Sequence, residues 1–269
     1  MKRSVGKKTK NAPSGTDTAA AAGTAPKATH TRRWIGAAAM VVVVFAAAGA
    51  VGAVVRDHSA KKLTPPTSGT GPSHLAVPVS GHTPVTLTLY EDLRDPASAT
   101  FEQTYRPTMD RLLASGTVKL LYREVADVDA AKGGTGSLNA ANALGCAQDA
   151  GHFSAYRTVL LANQPSADTD AFADKAQLIA LSKQVKKLDT DVFRNCVDSG
   201  AHNVWVKDST SDFASANLGS VPVLTMQATG QDTARTVIGG SAQLTPEKLF
   251  SLVIDAATTA TPSATPSAS

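Results

Sequence analysis

The stretch VTLTLYEDLRDPASATFE, Val85–Glu102, contains the signals of a strand that leads into a helix. Apolar and polar side chains alternate over Val85–Tyr90, which predicts a half-buried strand. Asp95 followed by Pro96 is typical of a helix start, because a carboxylate accepts free backbone N–H groups and proline suits the first helical position. We therefore predict a helix over 96–115 with Asp95 as its N-cap.

Downstream residues continue this alternation of strands and helices. The patterns predict a strand over Val118–Val125, helical segments over 137–163, 168–202 and 204–217, short strands over Pro222–Met226 and Thr236–Ile238, and a last helix over 245–257. The order is strand, helix, strand, helical block, strand, strand, helix. It predicts an α/β protein with the thioredoxin-like fold, in which a helical insertion separates the two halves of a central sheet.

The stretch Val85–Glu102 also resembles the active-site segment of bacterial DsbA-like thiol-disulfide oxidoreductases. In that family a strand with an acidic pair at its end leads into Cys-Pro-x-Cys at a helix start, followed by a Phe. The positions that match are Glu91, Asp92, Pro96 and Phe101. Asp95 and Ser98 stand where the two cysteines would be, so the motif reads Asp95-Pro96-Ala97-Ser98.

The resemblance covers roughly residues 75–257. Ala140–Pro165 is similar to the helical insertion of the family, and Leu218–Met226 resembles the loop that holds a cis-proline, here Pro222. In the family, the main chain of the residue before this proline pairs with a substrate strand. The resemblance therefore implies a peptide-binding groove formed by Leu93, Asp95, Pro96, Ala97, Ser98, Val221 and Pro222.

The chemistry of the two substituted positions argues against the activity of the family. Disulfide exchange needs a thiolate that attacks sulfur, and neither a carboxylate nor a hydroxyl can replace it. We interpret Asp95 as a helix cap rather than a catalytic carboxylate. Ser98 as a nucleophile would need a histidine such as His82 or His152 to approach it in space. We predict no catalytic residue and no cofactor.

Two glycine- or acid-rich segments have other possible functions. Glu91, Asp92 and Asp95 could form a site for a hard metal ion, but three acids at a strand end are more often solvated or capping groups, and we predict no metal. Gly133–Ser137 lacks the Lys-Ser/Thr pair of a phosphate loop, so we expect a turn before a helix.

The chain has two cysteines, Cys146 and Cys196. Some DsbA-like proteins outside the cell carry a structural disulfide between the corresponding helices, and the resemblance implies the same pairing here. Two buried free thiols are the alternative. A redox-active pair is a further alternative, although the spacing is unlike CxxC.

Residues 34–55 contain 22 residues without a charge, which as a helix would span ~33 Å, enough for a bilayer core. Residues 1–33 hold eight Lys and Arg against one acid, so the N-terminus is expected in the cytoplasm and the C-terminal domain outside. We predict a single-pass protein of the bacterial plasma membrane. A cleaved signal peptide is the alternative, with Ala48, Ala50 and Ala53 as a loose cleavage pattern.

The remaining segments complete the predicted organisation. We expect a disordered basic tail over 1–33, a flexible linker over 56–74, the thioredoxin-like domain over 75–258 and a disordered Ser/Thr/Pro tail over 259–269. The net charge is +4, of which the first 33 residues contribute +7, so residues 34–269 carry −3. This distribution argues against nucleic-acid binding by the folded part.

The leading functional hypothesis is a membrane-anchored, non-catalytic module that binds an extended peptide or an envelope protein. The alternative is a thiol-disulfide oxidoreductase that uses Cys146 and Cys196 or the thiols of a partner. A third hypothesis is an envelope scaffold whose groove no longer functions.

Overall fold

A computed structural model of the protein describes residues 64–70, 74–79, 83–166 and 168–260. No helix within these ranges has the length and apolar character that crossing a bilayer requires. The predicted membrane segment 34–55, the basic tail 1–33 and His82 lie outside the described residues, as does the C-terminal tail after residue 260.

A five-stranded mixed sheet forms the centre of the described part. Its strands are β1 (Val77–Pro78), β2 (Val85–Glu91), β3 (Val118–Glu124), β4 (Val223–Ala228) and β5 (Arg235–Ile238). They lie in the order β1-β3-β2-β4-β5, and only β2 and β3 run parallel. The parallel register places Glu91 directly beside Glu124 at the carboxyl ends of these two strands.

Two helices pack against one face of this sheet. They are α1 (Pro96–Ala114), which connects β2 to β3, and α8 (Pro246–Thr259). The alternation predicted for β2 is confirmed, because every second residue is buried. Side chains from both helices and the strands form one apolar cluster that includes Leu87, Leu89, Leu112, Leu120, Leu249 and Val253.

The helical insertion lies between β3 and β4 and has its own apolar core. Its helices are α2 (Asp127–Lys132), α3 (Gly136–Asp149), α4 (Phe153–Ala162), α5 (Lys175–Ser182), α6 (Asp191–Ser199) and α7 (Asn203–Ala216), with a 3-10 turn at Ala171–Ala173. The largest fully buried members of this core are Tyr156, Phe172, Phe193 and Trp205.

The fold class predicted from the sequence is confirmed, but the insertion is more divided than expected. The segments predicted as helical over 137–163 and 168–202 contain four α-helices and a 3-10 turn. Gly200 ends α6 in the left-handed conformation at φ 64°, and the Thr190 side chain caps the start of α6 by accepting from Phe193 N–H. The short elements β1 and α2 were not predicted, because neither is long enough to show a period.

Residues 64–70 fall within the predicted flexible linker, yet they are fixed to the insertion; we call this segment the strap. Asp149 Oδ1 accepts from the backbone N–H and the hydroxyl of Thr67 at 2.6 and 2.8 Å. Gln148 donates to Thr67 O at 3.0 Å. The expectation of a flexible linker is therefore wrong for this part of 56–74, because polar side chains at the end of α3 bind its backbone.

Candidate functional site

The segment where β2 leads into α1 carries the two positions that correspond to the cysteines of the DsbA-like family that the sequence resembles. Asp95 caps α1, as predicted: its Oδ2 accepts from the backbone N–H of Ser98 at 2.8 Å and from the Ser98 hydroxyl at 3.1 Å. The Ser98 hydroxyl accepts in turn from Asp92 N–H at 3.3 Å, and its side chain is fully buried. The side chains of Asp95 and Ser98 therefore bond to each other, and Asp95 also satisfies a free backbone N–H at the start of α1.

A second loop faces the first turns of α1 and contains the cis peptide bond Val221-Pro222. A cavity of about 390 Å³ lies between them, and we call it the groove. Its lining residues are Ala97, Thr100, Phe101, Thr104 and Tyr105 of α1, Ser220, Val221 and Pro222 of the loop, and Ile238, Gly239, Gly240 and Gln243 around the end of β5. None of these side chains carries a charge, so the groove presents a neutral surface.

Val221 lines this groove with 7% of the residue exposed, and its main chain is not paired with another strand. Pairing of β4 with β2 begins only at Val223, which lies opposite Tyr90. Within the described ranges, neither the N–H nor the C=O of Val221 has a hydrogen-bond partner. An extended peptide could therefore form main-chain hydrogen bonds with Val221, in the manner of a strand added to a sheet edge.

The structure brings together only part of the predicted groove. Ala97, Val221 and Pro222 line it, whereas Asp95 and Pro96 lie next to it at the start of α1. The prediction that Leu93 lines the groove is wrong, because Leu93 is 1% exposed and packs in the core of the insertion. Ser98 is equally inaccessible, since its hydroxyl points into the Asp92–Asp95 turn.

A turn of the insertion holds this loop in place. The side-chain amide of Gln164 donates to the carbonyl oxygens of Leu93 and Asp95, both at 2.9 Å. The turn Asn163-Gln164-Pro165, which follows α4, therefore fixes the position of the loop through the side chain of Gln164.

A buried charge network lies at the carboxyl end of β2. Arg157 of α4 donates from Nε and Nη2 to the two carboxylate oxygens of Glu91, both at 2.5 Å, and from Nη1 to Glu102 at 2.6 Å. Burial opposes the charge on Arg157, but its carboxylate partners outweigh burial and raise the pKa of the guanidinium well above its usual value. Arg157 was not identified from the sequence; its only signal was that it is the one charged residue of its helix.

The expectation that the three acids near this strand end are solvated or capping groups is wrong for Glu91, which is buried in an ion pair with Arg157. Asp92 is also fully buried, but it satisfies an N–H in the first turn of α2, and Asp95 caps α1. Asp92 accepts from Arg94 N–H and Val128 N–H, each at 2.8 Å. The sequence shows only three acids within five residues, and it does not indicate which of them are buried or hydrogen-bonded.

Glu124, the neighbour of Glu91 on β3, is a further buried acid. Both of its carboxyl oxygens lack a hydrogen-bond partner in the part of the chain that the structure describes. Burial, and then the adjacent charge of Glu91, raise the pKa of Glu124 well above its usual value. Burial also raises the pKa of Asp92 to about 7. Protonation of Asp92 and Glu124 therefore lowers the free-energy cost of burying these two acids.

These shifts predict that the protein becomes less stable as the pH rises. The folded state binds the protons of Asp92 and Glu124 more tightly than the unfolded state, so their stabilising contribution is complete below about pH 4. The contribution of Asp92 is lost as the pH passes about 7, and that of Glu124 is lost as the pH passes its own raised pKa. We expect the free energy of unfolding, measured in urea, to fall by a few kcal/mol between pH 5 and pH 8. The Asp92→Asn variant should show a smaller fall, and an unchanged pH profile in this variant would contradict the assignment.

A second polar network positions the same loop against α3. Arg94 donates to Asp129 at 3.0 Å and to Gly133 O at 2.9 Å, and it lies 3.1 Å from Asp170. The two carboxylates accept backbone N–H groups from the first turn of α3. A turn precedes the helix, as predicted, but it is shorter than Gly133–Ser137, because α3 already begins at Gly136. A Cβ at Gly136 would lie 2.4 Å from an oxygen of Asp170.

Cys146 and Cys196 form the disulfide that the resemblance implied, joining α3 to α6. Cys146 is 2% exposed and belongs to the core of the insertion. It lies about 13 Å along α3 from Ser137, whose N–H binds the carboxylate that holds Arg94. Neither cysteine lines the groove, and neither stands at the start of α1.

Comparisons with known proteins agree with this architecture. A sequence model of the family described as thioredoxin matches residues 80–244. No curated protein matches the chain in sequence. Among solved structures, oxidised DsbA of Mycobacterium tuberculosis shares 24% identity, with 75% of this chain and 96% of that chain covered and a TM-score of 0.50.

Two further structures are similar in fold. MdbA of Actinomyces oris, a thiol-disulfide oxidoreductase, shares 17% identity over 73% of this chain and 91% of that chain, with a TM-score of 0.57. Oxidised BdbD of Bacillus subtilis shares 19% identity over 73% of this chain and 97% of that chain, with a TM-score of 0.55. At these identities the likeness concerns the fold alone.

Proposed function

This chain belongs to the thioredoxin family and has its DsbA-like fold, and we propose that it is a membrane-anchored, extracytoplasmic binding module without thiol-disulfide oxidoreductase activity. Residues 34–55 provide the proposed anchor in the bacterial plasma membrane. The proposed ligand is an extended peptide or the exposed segment of an envelope protein. The observation that carries this proposal is an open groove with an unpaired backbone edge and no sulfur beside it.

The absence of a thiol at the groove argues against exchange chemistry. Asp95 and Ser98 occupy the helix start where a thiolate would be activated, and their side chains bond to each other. The two cysteines of the chain are both used in the disulfide. The oxidoreductase activity stated for MdbA therefore does not transfer to this chain.

The groove supports binding because main-chain pairing does not depend on catalysis. Hydrogen bonds to Val221 would supply affinity, and side chains of the peptide would contact Phe101, Tyr105 and Ile238 along the groove. The absence of charge in the lining favours a ligand with small or apolar side chains over a highly charged one.

A displayed library of random cysteine-free peptides, screened against the full chain, tests this proposal. We expect enrichment of peptides whose affinity falls at least about tenfold in the Ala97→Trp variant, because the indole fills the groove beside Val221. Ala114→Trp is the matched control, since it places the same side chain at an exposed position about 25 Å away on the same helix. The control should bind like the wild type.

Two results would contradict the proposal. The first is a failure to enrich any peptide, or equal binding by the Ala97→Trp variant. The second is dithiol oxidation by the wild-type chain that disappears in a Cys146→Ser variant. That second result would favour the oxidoreductase alternative, in which the disulfide of the insertion takes part in exchange.

A further inference from the structure

A cluster of potential metal ligands surrounds the disulfide. Cys146 comes from α3, Cys196 from α6 and His202 from the residue before α7. The two sulfur atoms and one ring nitrogen of His202 all lie within 4.8 Å of one another. Three helices thus converge on one point with two sulfur ligands and one nitrogen ligand.

Both ring nitrogens of His202 have an oxygen partner, which fixes the orientation of the ring beside the disulfide. It is 2% exposed, with Nδ1 at 2.7 Å from Thr64 O of the strap and Nε2 at 2.8 Å from Asp149 Oδ2. A histidine ligand commonly donates its second ring N–H to a carbonyl or a carboxylate, which fixes its orientation. Thr64 O and the Asp149 carboxylate are both hydrogen-bond acceptors, so the nitrogen that binds an ion gives up its bond to one of them while the other nitrogen keeps its partner.

We propose that reduction of the Cys146–Cys196 disulfide converts this cluster into a binding site for Zn²⁺. Two thiolates and one imidazole nitrogen would provide three ligands, and water would complete a tetrahedral set, the arrangement that zinc prefers. Each thiol loses a proton when the ion binds, and the ligating nitrogen of His202 binds it in the neutral form.

The reductant in this proposal is a dithiol. Its thiolate attacks the sulfur of Cys196, the more exposed of the two residues, and releases the Cys146 thiolate, which takes up a proton. The second thiol of the reductant then attacks the mixed disulfide, so the reductant leaves as a disulfide and Cys196 leaves as a thiol. Two electrons and two protons pass from the dithiol to the protein.

The oxidised and metal-bound states exclude each other, because the disulfide uses the two sulfur atoms that the ion needs. Both states connect α3 to α6, and the ion would in addition connect both helices to His202. His202 contacts Thr64, so the proposed site also lies directly against the strap. Zinc would therefore replace one cross-link of the insertion by another.

Cobalt and zinc titrations of the full chain test the proposal. The chain is reduced with a phosphine, desalted without oxygen and titrated with Co²⁺, whose thiolate charge-transfer absorption reports sulfur ligation. We expect saturation at one ion per chain, displacement by Zn²⁺ and no such absorption in the oxidised chain. His202→Ala should weaken binding by more than about tenfold, whereas His152→Ala, at the start of α4, should leave it unchanged.

Far-UV circular dichroism accompanies each titration, because unfolded thiols also bind metal ions. Three outcomes overturn the proposal: a folded reduced chain that shows no thiolate–cobalt absorption, equal affinity in the His202→Ala variant, or loss of the fold on reduction that Zn²⁺ does not restore. If His202→Ala itself fails to fold, Cys196→Ser replaces it, and unchanged one-to-one binding by that variant is equally fatal.

Discussion

Replacing Arg157 with alanine is expected to lower the free energy of unfolding by about 3–5 kcal/mol. The guanidinium is buried and makes three hydrogen bonds to Glu91 and Glu102. Its removal leaves the buried carboxylate of Glu91 next to Glu124 without a counterion. Urea unfolding followed by circular dichroism measures the loss.

The neighbouring arginine provides a matched control for this prediction. Arg106 pairs with Glu102 at 2.8 Å on the surface of α1, with 42% of its side chain exposed. Such a pair contributes at most about 1 kcal/mol, so Arg106→Ala should have a small effect. Replacing both Glu91 and Arg157 with leucine should cost less than Arg157→Ala, because no buried charge is left unpaired. Equal effects of Arg157→Ala and Arg106→Ala would show that the buried network contributes no more than a surface pair.

Removing the disulfide by the double substitution Cys146→Ala and Cys196→Ala is expected to destabilise the protein by about 4 kcal/mol. The bridge closes a loop of 50 residues, and in the chain-entropy model its loss allows the unfolded state far more conformations. The fold of the reduced state should persist in dilute buffer, because most of the apolar core of the insertion is formed by side chains other than the two cysteines.

The same measurement contains its own control. Wild-type protein should unfold at a lower urea concentration when a reductant is present, whereas the double variant should unfold at the same concentration with and without it. A double variant as stable as the oxidised wild type would mean that the bridge does not restrict the unfolded chain as the model requires.

The elements of the sheet were predictable because their signals are local. Alternation over Val85–Tyr90 and the Asp95-Pro96 helix start each depend on a few adjacent residues, and the structure confirms both. The boundaries inside the insertion were less predictable. A glycine such as Gly200 can end a helix or lie within one, and contacts with other helices decide between these outcomes.

The candidate site was predictable only in part, for a similar reason. Resemblance located the substituted cysteine positions and the loop at Pro222, but Leu93 was assigned to the wrong surface. Both a groove and a core accept a leucine, and only the packing of the insertion over the loop distinguishes them. Arg157 could not be assigned, since its partner Glu91 is 66 residues away in the chain.

The amino-acid sequence by itself determined the α/β order of the elements, the helix cap at Asp95 and the lack of a thiol at that helix start, because each follows from the identity of neighbouring residues. Tertiary structure alone decided which acids are buried, which arginine neutralises them and which backbone edge stays open at Val221. It also placed His202 and the strap beside the disulfide. These features depend on distance and solvent exclusion between segments far apart in the chain, and no local pattern records them.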